Sequence, residues 1–421
     1  MVYLSRLTDP VLDELLAEVP CVMLVGPRAC GKTTSARRHA NSVLQLDRPQ
    51  VRAVVDADPD AALREENEPI LVDEWQFVPE VLGAVKRAVD ERSTSGRFLL
   101  TGSAAVELGN AGWAMAGRVV RVPMWGLTQR EIERQTATPS IIELLFAGDL
   151  ASIVVPADAP DVRGYAELAL RGMPPDIALS ESASTRTRRL GAYVEQITLR
   201  DGAVVGEDRD PRLLWRYLMA IAANSAGAPD HKTLFDAAQI SRRTAVGYDS
   251  LLELLFVTEQ VPAWASNRLS RLTRTPKRYL TDPGLLGPLL GVDARALMRN
   301  ADLLGRAIDT FVVAQLRPEL TSGPYPVLAH HLRDDHGRHE VDLVLEAAGG
   351  AVVAIEIKAT STPSEHDARH LEWMRDRLGE QFVCGVVFHS GVRSFVLSER
   401  IQALPIASIW GPHRRPAGRS P

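Results

Sequence analysis

Lysine is nearly missing from this chain. Of its 48 basic side chains only Lys32, Lys86, Lys232, Lys277 and Lys358 are lysines. A position that keeps one is a candidate for a compact point charge, which the planar fork of arginine does not replace. Cysteine is just as scarce. Cys21, Cys30 and Cys384 form no C-x-x-C pair, which excludes a disulfide-stapled secreted fold and fits a reducing cytoplasm. No apolar run approaches the ~20 residues that span a bilayer, and Met1–Asp9 lacks the apolar core of a signal peptide. A cytoplasmic location without membrane contact is therefore expected. A large excess of charge is missing too: the net charge is −5, with 45% hydrophobic and 24% charged residues. That balance argues against a protein that coats nucleic acid, while leaving room for a local basic patch. At 421 residues the chain is too long for one ordinary domain, and two or three are expected.

What is present is concentrated near the start. Gly26-Pro27-Arg28-Ala29-Cys30-Gly31-Lys32-Thr33 is a complete G-x-x-x-x-G-K-T loop. It follows the apolar run Cys21–Val25 and precedes a helical pattern beginning with Thr34, Ser35 and Ala36. In that context backbone N–H groups cradle a phosphate, Lys32 reaches the β- and γ-phosphates, and the Thr33 hydroxyl binds Mg2+. ATP and Mg2+ are the expected ligands, with residues 26–34 as the binding loop. Cys30 is either a small filler or an oxidant-sensitive thiol. Downstream, Ile70-Leu71-Val72-Asp73-Glu74 is an apolar strand ending in two acids. Asp73 is expected to support the metal and Glu74 to activate the attacking water. A third strand ends in Thr101-Gly102-Ser103, where Thr101 or Ser103 either senses the γ-phosphate or caps a helix. Arg118 is either an arginine finger toward the γ-phosphate of a neighbouring copy, in a homo-oligomer, or a surface arginine.

Three parts are expected. Residues 1–150 place strands near 22–26, 43–47, 69–73, 97–101 and 118–123 with helical stretches between them, the pattern of a doubly wound parallel α/β sheet with its ligand at the carboxyl ends of the strands. Small residues and prolines between Gly148 and Gly164 read as a linker. Residues 151–300 read as mainly helical, with a helix–turn–helix over 233–256 whose second helix opens at Ser241-Arg242-Arg243-Thr244, and a wing strand over 257–264. Arg268, Arg271, Arg274, Lys277 and Arg278 follow. The 231–278 region is then either a DNA-backbone footprint or a protein–protein module with a solvated arginine face.

Residues 301–421 carry the second motif. Glu340–Glu346 alternates as a strand, Gly349-Gly350 turns, and Ala351–Lys358 returns. Period two puts Glu356 and Lys358 on one face and Ile355 and Ile357 on the other. The hairpin can set Asp342 beside Glu356, with Asp309 as a further acid. Such a cluster either holds a divalent metal with Lys358 beside the water, or is a solvated acidic hairpin.

The order of these features resembles a bacterial and archaeal family of uncharacterised ATP-binding proteins that join an AAA-type ATPase core to a C-terminal domain of unknown function. The resemblance rests on Gly26–Thr33, Ile70–Gln76, Leu100–Ser103, Gly172-Met173-Pro174, Pro276–Leu285, Phe311-Val312, Glu340-Val341-Asp342 and Ile355–Lys358. It implies a P-loop NTPase domain, a winged-helix-like middle domain and a restriction-endonuclease-like C-terminal domain of PD-(D/E)xK type. The function then expected is a Mg-dependent ATPase whose nucleotide state controls a DNA-directed or partner-directed module. A nucleotide-gated DNA-binding regulator with an inert nuclease fold and an ATP-dependent nuclease are the alternatives.

Overall fold

The computed structural model describes residues 3–102, 115–201, 210–266, 268–271, 274–323, 326–333 and 338–414. Ser103, one of the two expected phosphate sensors, lies outside them, as does the side chain of Arg268.

The N-terminal part runs α1 (Asp9–Glu18), β1 (Cys21–Val25), α2 (Lys32–Ala36), β2 (Ser42–Gln45), α3 (Pro49–Ala57), α4 (Pro59–Arg64), β3 (Ile70–Asp73), α5 (Val81–Glu91), β4 (Phe98–Thr101) and β5 (Val120–Pro123). Its sheet has the order β2-β3-β4-β1-β5, and every neighbouring pair is parallel. The strands read as unbroken apolar runs because helices cover both faces. Met23, Ile70 and Val72 pack with Val81, Leu82 and Val85 of α5 on one side. Val22, Leu24 and Leu71 pack with Leu12 of α1 and Ala36 of α2 on the other. The glycine-rich loop leaves the carboxyl end of β1, between β4 and β5.

The middle of the chain contains α6 (Ile141–Phe146), α7 (Val162–Ala169), α8 (Ala183–Gln196), α9 (Pro211–Ala223), α10 (His231–Ala238) and α11 (Arg242–Leu254). An antiparallel ribbon follows, β6 (Thr258–Val261) with β7 (Lys277–Leu280). A short turn separates α10 from α11 in the stretch expected as a helix–turn–helix. Gln239 ends α10 in a left-handed conformation at φ 54°, and the Ser241 hydroxyl caps α11 by accepting the Thr244 N–H at 3.1 Å.

The basic run after it is a different matter. Lys277 and Arg278 are buried, and the Arg278 guanidinium donates to both carboxylate oxygens of Asp249 on α11, at 2.8 and 2.9 Å. Arg271 pairs with Glu346 at 2.8 Å. Both faces of β7 are covered, and a charge taken into such a place must be paired. Arg271, Lys277 and Arg278 are internal counter-ions, and among the described residues of the expected 231–278 footprint Lys232, Ser241, Arg242 and Arg243 are exposed.

The C-terminal part begins with α12 (Ala301–Ser322) and continues with β8 (Val327–Arg333), β9 (Glu340–Ala347), β10 (Val352–Lys358), α13 (Glu365–Leu378), β11 (Phe382–His389), β12 (Phe395–Ser398) and β13 (Ile401–Pro405). They form a mixed six-stranded sheet, β12-β13-β11-β10-β9-β8. Ala354 and Val387 face Ala368, Leu371 and Met374 of α13. Val353, Ile355, Val386 and Phe388 face α12.

The expected linker over 148–164 is corrected by this packing. Leu150, Ile153, Ala159 and Val162 lie against a hydrophobic cluster that runs from Ile141 of α6 to Trp410. The Val154 N–H donates to His413 Nδ1 at 3.2 Å. The segment lacks helical period because a single 3-10 turn (Leu150–Ser152) and irregular chain fill it up to the start of α7, yet its apolar side chains are used. The middle and C-terminal parts therefore share one core.

Candidate functional site

The loop after β1 is shaped by two glycines that nothing else can replace. A Cβ on Gly26 would stand 1.9 Å from the Met124 carbonyl oxygen, and Gly31 holds φ at 102°, a conformation that side chains disfavour. Lys32 is buried at the base of the loop, where its ammonium donates to the carbonyls of Gly26 at 3.0 Å and Pro27 at 2.8 Å. The next residue reaches the second motif: Thr33 Oγ1 donates to Asp73 Oδ1 at 2.7 Å. Thr101 Oγ1, from β4, donates to the same oxygen at 2.5 Å. Asp73 ends β3 beside Thr101 in the register of the parallel pair, so two strand ends and the start of α2 deliver three side chains to one point. Thr33 and Asp73 offer oxygen donors only, the set a hard divalent cation takes.

Glu74 follows in a left-handed conformation, φ 57° and ψ 46°, and its carboxylate accepts a hydrogen bond from the Gln76 amide. Gln76 and Trp75 pack on Gly102, where a Cβ would come within 2.8 Å of Trp75 Nε1. The turn after β3 is thereby seated on the end of β4.

Sequence reasoning missed the clamp behind the loop. Arg6 is buried, and its guanidinium donates to the Cys30 carbonyl at 2.8 Å, the Trp125 carbonyl at 2.6 Å and Glu131 Oε1 at 2.9 Å. Nothing local in Tyr3–Leu7 signals this, because all three partners lie far along the chain. Asp282 lies within the Pro276–Leu285 stretch. It accepts N–H groups from Met173 at 2.9 Å and Gly284 at 2.8 Å, and burial pushes its carboxyl up to about 6. Met173 and Pro174 line a small pocket with Pro27, Arg28 and Cys30, so Asp282 fixes the layer that covers the loop.

Arg118 stands elsewhere. β5 pairs with β1 from Val22↔Val120 to Val25↔Pro123, which puts Arg118 at the edge where the strands begin and the phosphate loop at the edge where they end. The Arg118 guanidinium pairs with Asp90 of α5 at 2.5 Å.

The second motif assembles as a cluster. Asp342 and Glu356 are neighbours across the β9–β10 pair, whose register sets Ile355 opposite Leu343. Asp342 Oδ2 accepts the Ile357 N–H at 2.9 Å, and Lys358 Nζ donates to Glu356 Oε2 at 2.9 Å. Asp309 joins from α12. The residue not foreseen here is Lys277, whose ammonium lies 2.7 Å from Asp309 Oδ2 and 3.0 Å from Asp342 Oδ1. Burial disfavours the ionised form of Asp342, but the Lys277 and Lys358 ammoniums outweigh it and hold its pKa below the ordinary value. Burial, with Asp342 alongside, pushes Glu356 well above the usual carboxylate range. The cluster borders a cleft of about 650 Å3 that also meets Asn224, Arg306, Glu340 and His370.

Two mycobacterial proteins match nearly the whole chain. Uncharacterized protein Rv2008c of Mycobacterium tuberculosis and uncharacterized protein Mb2031c of Mycobacterium bovis are each 31% identical over 410 residues, 94% of this chain and 82% of theirs. An AAA domain profile matches residues 18–133. The chain belongs to one family with these two proteins, and its residues 18–133 are an AAA domain of the P-loop kind. Its AAA domain contains the loop, Asp73 and Thr101. Two domains of unknown function, DUF8612 over residues 162–296 and DUF4143 over 304–409, match the rest. Among solved structures, the Walker-type ATPase paby2304 of Pyrococcus abyssi is 15% identical with a TM-score of 0.40, covering 67% of this chain and 94% of that one. Among the described residues no helix is long and apolar enough to cross a membrane.

Proposed function

We propose that this protein binds ATP with Mg2+ and hydrolyses it, and that nucleotide state acts on the fused middle and C-terminal core. The observation that carries the reading is the meeting of Thr33 and Thr101 on one oxygen of Asp73 beside Lys32. The N–H groups of residues 26–34 bind the phosphates, and Lys32 holds the β- and γ-phosphate oxygens. Thr33 and Asp73 would hold Mg2+. When bound, Mg2+ supplies positive charge that stabilises the γ-phosphoryl group as it is transferred. Glu74 accepts the proton of the attacking water, and Gln76 orients its carboxylate. Arg118 serves only toward a neighbouring copy, and then at the cost of its pair with Asp90.

The exposed Ser241, Arg242 and Arg243 at the start of α11 favour DNA as the regulated partner. Steady-state ATP hydrolysis, with and without duplex DNA, tests both readings. Turnover is expected in the wild type, is lost in Glu74→Gln with ATP binding retained, and is lost together with binding in Lys32→Ala. ATP binding unchanged in Lys32→Ala would refute the ATPase reading. Turnover and binding indifferent to DNA would redirect the search to protein partners.

A further inference from the structure

The C-terminal cluster has the acids of a divalent-metal site, and its donor atoms decide whether it is one. Both oxygens of Asp309 are used, Oδ2 by Lys277 at 2.7 Å and Oδ1 by the Tyr279 hydroxyl at 3.0 Å. Both oxygens of Asp342 are used, Oδ1 by Lys277 at 3.0 Å and Oδ2 by the Ile357 N–H at 2.9 Å. Glu356 Oε2 takes Lys358 at 2.9 Å. Only Glu356 Oε1 makes no hydrogen bond, and a hard divalent cation asks for several oxygens at once. Among the described residues no three acid, imidazole or thiol groups are set to hold a metal. The residues present do not fit the metal that the resemblance implies.

We propose that Lys277 is the resident cation of this cluster, its ammonium standing where a divalent metal would bridge Asp309 and Asp342, so that the site is closed to Mg2+ and Mn2+. Lys277 is 3% exposed and its strand is buried along its length, so the ammonium does not exchange with solvent ions as a surface lysine does. A compact ammonium fits between two carboxylates at this spacing, and the wider planar fork of a guanidinium is a different shape. That accounts for a lysine at this position in a chain whose basic residues are otherwise almost all arginine. With no metal to lower the pKa of a water, the C-terminal module of this chain positions or recognises rather than cuts. The inference is independent of the nucleotide reading, because it concerns residues that touch no part of the phosphate loop.

The test is Mn2+ titration of the full chain without nucleotide, with free Mn2+ followed by electron paramagnetic resonance. Any Mn2+ at the phosphate loop is common to all variants and cancels between them. The wild type and Glu356→Gln are expected to give the same curve. Lys277→Met, checked by circular dichroism for folding, is expected to gain one Mn2+ per chain, which Glu356→Gln then removes. A wild-type Mn2+ site that disappears in Glu356→Gln would overturn the proposal, and so would a folded Lys277→Met chain that gains none. If Lys277→Met does not fold, the wild type against Glu356→Gln decides alone.

Discussion

Thr101→Val removes a single hydroxyl from the point where the strands of the AAA domain converge. Valine keeps the shape, so no cavity opens, and the change isolates the bond to Asp73. Thr101 is 1% exposed and its Oγ1 lies 2.5 Å from Asp73 Oδ1. A hydrogen bond to a charged group contributes roughly 1.5–3 kcal/mol. Asp73 keeps the Thr33 hydroxyl at 2.7 Å, so it stays in the site but loses the partner that fixes its angle. If that loss falls on the transition state, turnover drops roughly 10- to 100-fold, at about 1.4 kcal/mol per decade. ATP affinity, which the proposed function assigns to Lys32 and the loop N–H groups, stays within about threefold of the wild type, roughly 0.6 kcal/mol. The assay pairs steady-state phosphate release with nucleotide titration. A helix-capping threonine at this place would behave differently, with stability falling and kcat unchanged. Wild-type kcat in a folded Thr101→Val chain would refute the reasoning.

Two further perturbations follow from buried charge. Arg6→Ala leaves Glu131 without its ion pair and two loop carbonyls without donors, a loss of about 3–5 kcal/mol for a broken buried pair; thermal unfolding should show it, together with weaker nucleotide binding. Unchanged affinity would mean that the clamp is structural only. Asp282 has its pKa raised from 3.8 to about 6. Between those values the folded chain holds a proton that the unfolded chain has released, so stability falls as pH rises through that window, by about 3 kcal/mol. Asp282→Asn should flatten the change in unfolding midpoint between pH 4 and pH 6, and a wild-type slope in the variant would assign it to other groups.

Much of the AAA domain was legible because its signals are local. The apolar runs before Gly26 and Asp73 are strands whose burial on both faces leaves no alternation to misread, and the loop glycines mark backbone that only glycine adopts. The hairpin over 340–358 was equally readable, since period two and the Gly349-Gly350 turn set its register. The basic run after α11 was not. A charge pattern counts side chains but cannot say which way a strand faces, and β7 turns Lys277 and Arg278 inward. The segment 148–164 misled for a related reason, because irregular chain that packs on a distant core has no periodic signature.

By itself the sequence determined the phosphate loop, the acid-tipped strand that serves it and the carboxylates of the second motif, because each is a short run whose chemistry and backbone demands are written in adjacent residues. Only the tertiary structure decided that Arg6 grips the loop from behind, that Thr101 meets Thr33 on one oxygen of Asp73, and that Lys277 sits between Asp309 and Asp342. Those contacts join residues between 24 and 125 positions apart. They exist because packed sheets and helices bring distant side chains to one point, and burial then obliges every charge there to find a partner.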